Sequence, residues 1–500
     1  MRTKKAFYNS ISSLLLQAVT LLCGFILPRA ILGAFGSDAN GVASSCAKFI
    51  GYISLLEAGV GGVTRAALYK PLSENKTDKI SSIIKATENF FRKLALIFAV
   101  YVGVLSFTFP YVIKTSQTAM YVSSMVLVVS ISTFVQYYFG MTYSILLQAD
   151  QKLYISNILQ IVTTLANTGL SLILINQGAT LHIVKLGTSF VYILRPLVLY
   201  FYVKRKYRID AKAQPDNDAI KDRWNGLGHH LAYFLHINTD IMLLTFFLDI
   251  KEVSVYSIYL MISSGIQGIV STISTSLESG FGNILAKKEK ELLDSTFRMY
   301  ESLVSIVSVA MFSTAVYLAI PFVRIYTSLI TDADYIRPLV AVLMLSAEFV
   351  YCIRGPYSII VYAAGHYKQT QHQAFIEAGL NIGVSLALIK PLGMIGILIA
   401  TLIAMLTRGI MLGIYSSKNI LKRSYYVFAI RLAINVISMV MCCFVDSIVI
   451  KWSINGYGTF VLSGIVTVLV NTVLIFFMNY LFYRDDTKGV ILKVKSLINK

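Results

Sequence analysis

Charged side chains stand inside long apolar stretches of this 500-residue chain, where each needs a chemical reason. Moving a charge to the centre of a membrane helix costs about 2.5–3.5 kcal/mol on insertion scales, so each should face a partner or a polar cavity. Snorkelling to the membrane surface or a structural ion pair is the competing explanation. The basic members are Arg29, Lys48, Lys185, Arg195, Arg354 and Arg408, and the clearest acidic ones are Glu57, Asp240, Glu278, Glu348 and Glu377.

The bases favour binding of an anionic group. A guanidinium presents a planar fork of donors that matches phosphate. Arg29 follows Pro28, and Arg354 lies two residues before Pro356; a proline kinks a helix and can turn a neighbouring side chain inward. Lys185, near the end of its apolar stretch, is interpreted as snorkelling. The predicted anion-binding set is therefore Arg29, Lys48, Arg195, Arg354 and Arg408.

The acids favour gating or ion coupling. Glu57 in LEAGVG and Glu278 in LESGFG precede matching Gly-x-Gly motifs that allow close helix approach. Each could pair with a base when the inner side is closed, or hold a coupling ion. Asp240, within INTDIML, could pair with an arginine or take a proton, and Glu348 joins the same gating or coupling group.

Enzyme chemistry finds no support. The sequence has no catalytic or nucleotide-binding motif in a suitable structural context. The motifs considered are a nucleophile elbow, a phosphate-binding glycine loop, a zinc motif and a dinucleotide-binding fingerprint. The cluster His229, His230 and His236 lacks zinc-ligand spacing, and the five cysteines lie in apolar runs as packing residues. We expect a protein that is not an enzyme and that binds no cofactor or metal.

The elements that must position these charges are membrane helices. The chain is 56% hydrophobic and only 14% charged, against about 25% charged in ordinary soluble domains. Stretches this long and apolar must satisfy their backbone internally, which predicts an all-α integral membrane protein. Fourteen transmembrane helices are predicted at 12–34, 41–64, 93–113, 119–147, 154–176, 180–202, 226–248, 253–279, 299–321, 338–363, 372–390, 393–416, 427–450 and 457–483. A separate amphipathic surface helix is predicted at 73–87.

Basic residues set the orientation. With the N-terminus inside, 32 of the 44 Lys and Arg residues fall on inner segments and six on outer ones. Both termini are therefore predicted to be cytoplasmic. The net charge of +19 is a topology signal that faces anionic headgroups, so we expect contact with membrane lipids and no nucleic-acid partner.

The chain also contains a repeat. YSILLQA at 143–149 returns as YSIIVYA at 357–363, and NTGLSLILI at 167–175 returns as NIGVSLALI at 381–389, both displaced by the same distance along the sequence. Three further matches keep the same order, which indicates a duplicated unit of six spans with both copies oriented alike. We predict a six-helix bundle at 1–203, a cytoplasmic linker at 204–225, a second bundle at 226–416, and two added helices with a basic tail at 417–500.

Several segments together resemble one family. An Asn9-to-Gln17 pattern, PRAILGAFGSDANGVASS at 28–45, YISLLEAGVGG at 52–62 and NTDIMLL at 238–244 are similar to the Wzx-type polysaccharide flippases of the multidrug/oligosaccharidyl-lipid/polysaccharide exporter superfamily. The resemblance covers the whole chain. It implies a bacterial inner-membrane protein that moves polyprenyl-diphosphate-linked oligosaccharide to the outer leaflet, and it places Arg29, Glu57 and Asp240 at the central cavity.

The expected function is lipid-linked oligosaccharide translocation by alternating access, as in O-antigen, capsule or exopolysaccharide biosynthesis. A basic cavity would hold the diphosphate, with coupling to H⁺, Na⁺ or the membrane potential left open. We expect a monomer, because one chain supplies both halves. The alternatives are a cation-coupled multidrug antiporter of the same superfamily, and a membrane-embedded polysaccharide polymerase or glycosyltransferase.

Overall fold

The computed structural model describes the backbone of residues 2–57, 59–210, 212–224 and 227–489. Side chains are described for 8–57, 59–210, 212–221, 234, 238–274, 280–285 and 287–489. Helix makes up 87% of the described residues, which contain no strand. Twelve helical segments within them are long and apolar enough to cross a membrane. The predicted all-α membrane class is confirmed.

The difference between twelve segments and the fourteen predicted spans has two sources. The segment Tyr8–Glu57 covers the first two predicted spans, and its helix is broken at Gly36, whose φ of 77° and ψ of 177° are accessible to glycine alone. The predicted seventh span corresponds to the helix Leu227–Phe247, nearly half of whose side chains lie outside the described residues. Fourteen crossings and cytoplasmic termini stay predictions.

The chain divides into two compact units, Met1–Ser254 and Val255–Lys500. The first contains α1 (Arg2–Ile50), α2 (Ser54–Glu57), α3 (Val60–Ser73), α4 (Thr77–Val112), α5 (Ala119–Val135), α6 (Met141–Ala149), α7 (Leu153–Asn176), α8 (Leu181–Tyr207) and α9 (Leu227–Phe247). Short 3-10 segments lie at Gly51–Ile53 and Asn217–Trp224, and a π-helical turn joins α5 to α6 at Gln136–Gly140. Because α9 packs on α1 and α2, this unit extends past the predicted linker at 204–225.

The predicted surface helix at 73–87 is not a separate element. Its residues from Thr77 onward form the start of α4, which continues without a break to Val112. Ile80, Ile83 and Ile84 bury their side chains in a cluster with residues of α3, α6 and α8. The apolar face that suggested membrane-surface binding therefore packs against the protein.

The second unit contains most of α10 (Ile250–Ala286), which begins in the first unit, and then α11 (Lys290–Tyr326), α12 (Pro338–Ile353), α13 (Gly355–Ala363), α14 (Tyr367–Leu392), α15 (Met394–Ser416), α16 (Tyr426–Val449) and α17 (Tyr457–Phe482). A π-helical turn, Ser417–Leu421, follows α15. The proline at 356 lacks a backbone N–H, so the helix turns at Arg354 and separates α12 from α13.

The last helix shows the pattern expected when lipid is the solvent. The buried face of α17 carries Ser463, Thr467, Asn471 and Asn479, while large apolar side chains such as Leu469 and Val473 are exposed. Polar groups hold it to its neighbours, since Asn471 donates to Asp446 of α16 at 2.8 Å and to Thr314 of α11 at 3.1 Å. Hydrogen bonds of this kind join helices where apolar surfaces have no preference for each other over lipid.

Equivalent contacts support the internal repeat. Tyr143 of α6 donates a hydrogen bond to the buried carboxylate of Glu88 in α4. Tyr357 of α13 donates in the same way to Glu301 of α11. The separation of the two glutamates along the chain matches that of the two tyrosines to within one residue, so the contact recurs at the offset seen in the sequence. Helices α7 (from Leu153) and α14 (from Tyr367) begin at the same offset.

Candidate site of buried charges

Two predicted bases of the second unit meet on one acid. Arg354, at the turn before α13, places Nη1 2.5 Å from Oε1 of Glu377 in α14. Arg408 of α15 places Nη1 2.8 Å from Oε2 of the same carboxylate. All three side chains are buried, with 6%, 2% and 7% of their surface exposed for Arg354, Glu377 and Arg408. The ring of Tyr351 lies 4.8 Å from the Arg354 guanidinium carbon.

This triad of Arg354, Glu377 and Arg408 has a formal charge of +1, because one carboxylate serves two guanidiniums. Each oxygen of Glu377 accepts from a different arginine, so the carboxylate is compensated within the protein. Arg354 and Arg408 therefore each use part of their donors on an acid within the protein. The structure thus brings together two of the residues predicted to bind an anion, and it adds Glu377, which the sequence marked only as an intramembrane acid.

A second buried cluster gathers around Glu301. Arg423, just after the turn that follows α15, contacts the Glu301 carboxylate at 2.9 Å, and Arg431 of α16 lies 3.5 Å from it. Arg431 also pairs with Asp486, beyond the end of α17, at 2.7 Å. These contacts hold α16 and the segment after α17 to α11. The sequence places these arginines in inner segments between or beside the spans. The signal for the cluster is the repeat, which makes Glu301 the position equivalent to Glu88.

The predicted charges of the first unit are arranged differently. Lys48 of α1 is half-buried and makes no ion pair with a described residue; the acid that acts on it electrostatically is Asp240 of α9, which is buried. Arg29 is also half-buried on α1, just after Pro28. Glu57, at the end of α2, is half-buried and accepts a hydrogen bond from Tyr137 at 3.3 Å.

Two bases of α8 complete the first unit. Arg195 donates to the hydroxyl of Ser156 in α7 at 3.2 Å, and its Nε is buried without a hydrogen-bond partner. Lys185 is half-buried. Among the described residues, neither base has a carboxylate within ion-pair distance. Lys185, interpreted from the sequence as snorkelling, thus resembles Arg195 in having no described carboxylate partner.

The remaining predicted acids are Glu348 of α12 and Glu278 of α10. Glu348 is half-buried on α12, and the Glu278 side chain lies outside the described residues, as do the three histidines of α9. Within the part of the chain whose side chains are described, no group of three or more His, Cys, Asp or Glu residues could hold a metal ion. The free cysteines Cys23, Cys46, Cys352 and Cys442 are buried.

Comparison by sequence finds no relative. No protein-family model matches the chain, and no curated protein matches it significantly.

Comparison by structure finds transporters. The chain is similar to "Lipid II flippase MurJ, inward closed conformation", with a TM-score of 0.73 and 15% identity over 95% of this chain and 99% of that one. It is also similar to the MATE multidrug transporter DinF-BH, with a TM-score of 0.61 and 18% identity over 83% of this chain and 95% of that one. An outward-facing multidrug-resistance MATE transporter of the MOP superfamily gives 0.57 and 14% over 82% and 94%. The chain therefore has the same multi-helix membrane fold as these flippase and multidrug-transporter structures.

Proposed function

We propose that this protein is a flippase that moves a polyprenyl-diphosphate-linked oligosaccharide from the inner to the outer leaflet of a bacterial cytoplasmic membrane by alternating access. The observation that carries the proposal is the fold, which matches a lipid II flippase over nearly the full length of both chains. The Wzx-type subfamily and the polysaccharide cargo are the finer part of the proposal, and they rest on the motifs at 28–45 and 52–62.

The distribution of buried charge supports an anionic cargo. In the first unit, Lys48, Lys185 and Arg195 make no ion pair with a described carboxylate, so their positive charge is available to a ligand. A diphosphate headgroup is too polar for hydrocarbon and needs such bases during transfer. In the second unit, Arg354 and Arg408 already share Glu377, so they offer a headgroup only the residual charge of the triad.

The same charges bear on coupling. Two guanidiniums compensate Glu377, which leaves this acid little attraction for a coupling cation. Glu57 and Asp240 of the first unit are the better candidates for H⁺ or Na⁺ coupling. The membrane potential is a further driving force, because moving about two negative charges outward across 100 mV releases roughly 2 × 2.3 kcal/mol.

Translocation in proteoliposomes tests the proposal. The purified protein should move a fluorescent polyprenyl-diphosphate sugar between leaflets, and Lys48→Gln should slow this transfer while leaving the thermal midpoint of unfolding nearly unchanged. An inside-negative potential should accelerate it. Failure to move any polyprenyl-diphosphate sugar above the rate of empty liposomes would reject the proposal.

The second candidate is a cation-coupled drug antiporter, which the MATE structures favour. A cationic drug needs acids along its path, and Asp240 and Glu57 are the acids in the first unit that could supply them. Replacing Lys48 with Gln separates the two functions, because it weakens attraction for an anionic headgroup and removes repulsion of a cationic drug. Drug export that survives or improves in this variant, with no lipid transfer in the wild type, would establish the antiporter instead.

A further inference from the structure

The internal repeat allows the two units to be compared position by position, and one pair of positions differs in charge. Arg195 of α8 corresponds to Arg408 of α15, since their separation matches the repeat offset to within one residue. The acid that pairs with Arg408 is Glu377, and the offset between Tyr143 and Tyr357 places Thr163 of α7 at the position equivalent to this acid. The first unit thus keeps the arginine of the pair and lacks its carboxylate.

Neighbouring side chains do not replace that carboxylate. The Thr163 hydroxyl is buried and donates to the backbone oxygen of Leu159 in its own helix, at 2.8 Å. Arg195 has one described hydrogen-bond partner, the Ser156 hydroxyl at 3.2 Å, and the Ser144 hydroxyl lies 3.5 Å beyond it. Both serines are buried, and Arg195 makes no ion pair with a described carboxylate.

A guanidinium in this position remains charged, because arginine is effectively always protonated in proteins. It has five N–H donors, of which a described residue engages one, and its Nε is buried without an acceptor. Arg195 is half-buried, and leaving its buried Nε without an acceptor is unfavourable. An anion with several oxygens can satisfy a guanidinium in this state. The hydroxyls beside it can donate to such an anion, and the described surroundings contain no carboxylate that would repel it.

We propose that the first unit binds a phosphate-type anion at Arg195, between α7 and α8, where the anion takes the part that the Glu377 carboxylate plays in the second unit. Arg195 supplies the paired N–H donors and Ser156 a hydroxyl donor. The bound group is either free inorganic phosphate or the phosphate of a lipid headgroup. Arg195 is also one of the bases that the proposed function offers to a diphosphate headgroup, so the lipid form of this inference rests on that function. Binding of free phosphate at the site does not require that a lipid is moved.

The duplication itself supplies the test. Thr163→Glu gives Arg195 the internal partner that Arg408 already has, and Thr163→Val is the matched control that adds no charge. Thermal unfolding of the full chain is measured in detergent at constant ionic strength. In one arm, inorganic phosphate replaces gluconate in increasing amounts. In a second arm, a short-chain prenyl phosphate replaces it. A ligand that binds only the folded state raises the midpoint in a saturable manner.

We expect a saturable rise in the wild type and in Thr163→Val, and none in Thr163→Glu or Arg195→Gln. Arg195→Lys keeps the charge but loses the planar pair of N–H donors, so the half-saturating phosphate concentration should rise at least tenfold. This variant tests the inference if Thr163→Glu does not fold.

A response to inorganic phosphate identifies a free anion, and a response to prenyl phosphate alone identifies a lipid headgroup. A response of equal size in the wild type and Arg195→Gln, or no response of the wild type in either arm, overturns the inference. The unfolding midpoint is measured without translocation, so this result is distinguishable from a failure of the proposed function.

Discussion

Removing the carboxylate of Glu377 should destabilise the second unit more than removing either arginine that binds it. Glu377→Gln keeps the side-chain volume but leaves Arg354 and Arg408 as two buried cations facing each other. Breaking a buried ion pair by removing one partner costs about 3–5 kcal/mol. For a unit of roughly this size, 1 kcal/mol corresponds to about 2–4 °C, so we expect the midpoint of unfolding to fall by about 6–20 °C.

Variants of the two arginines provide the comparison for Glu377→Gln. Arg408→Met leaves a neutral Arg354–Glu377 pair, so its cost should be well below that of Glu377→Gln. The triple replacement of Arg354, Glu377 and Arg408 with Met, Leu and Met should recover most of the loss, because buried ion pairs replaced by packed apolar groups are often neutral in stability. The assay is intrinsic-fluorescence thermal unfolding of the purified protein, with Thr163→Val as the control at the equivalent position. A midpoint for Glu377→Gln within about 2 °C of wild type, or one higher than that of Arg408→Met, would show that the three residues do not act as a charged unit.

Three further substitutions test other parts of the fold. Glu301→Gln leaves the arginines around it without their shared acid, so the C-terminal helices should become more susceptible to limited proteolysis, and an unchanged digestion pattern would contradict this. Tyr143→Phe removes the hydrogen bond to a buried glutamate and should cost about 1–3 kcal/mol of unfolding free energy in thermal or denaturant melts. Gly41→Ala places a Cβ 2.2 Å from the backbone oxygen of Ile250, so α1 and the start of α10 must move apart, and folded yield measured by size-exclusion chromatography should fall; equal yields would refute the close approach.

The helices were largely predictable because their cause is local. Long apolar stretches must be helical in lipid, and the Pro28 and Pro356 positions mark places where a helix loses a backbone donor. The pairing of Glu377 with Arg354 and Arg408 was not predictable in this way, since the acid lies on a different helix from either arginine, 23 and 31 residues away in the chain. Periodicity shows which residues share a helix face, and it does not show which faces meet.

The C-terminal helices illustrate the same limit. Hydropathy finds α17 readily, yet its inward face is defined by a few serine, threonine and asparagine residues spaced four apart, such as Ser463, Thr467 and Asn471. In a soluble protein such a face would be assigned to water. Only the contacts with α11 and α16 show that it packs inward, as the membrane requires.

The buried arginines of the second unit are paired with acids, whereas Lys48 of the first unit makes no ion pair with a described carboxylate, so their effects on transport and on stability can be measured separately. If bases of the first unit bind the cargo and those of the second maintain the fold, then Lys48→Gln should slow lipid transfer several-fold at an almost constant unfolding midpoint. Arg354→Gln should lower the midpoint, and any transfer lost should return when the assay is run well below that midpoint. The two quantities are measured on the same preparations, with translocation in proteoliposomes and thermal unfolding in detergent. A loss of transfer in Arg354→Gln that persists at low temperature, together with full activity in Lys48→Gln, would place the anionic headgroup on the second unit, because a residue with only a structural role stops limiting transfer once the fold is intact.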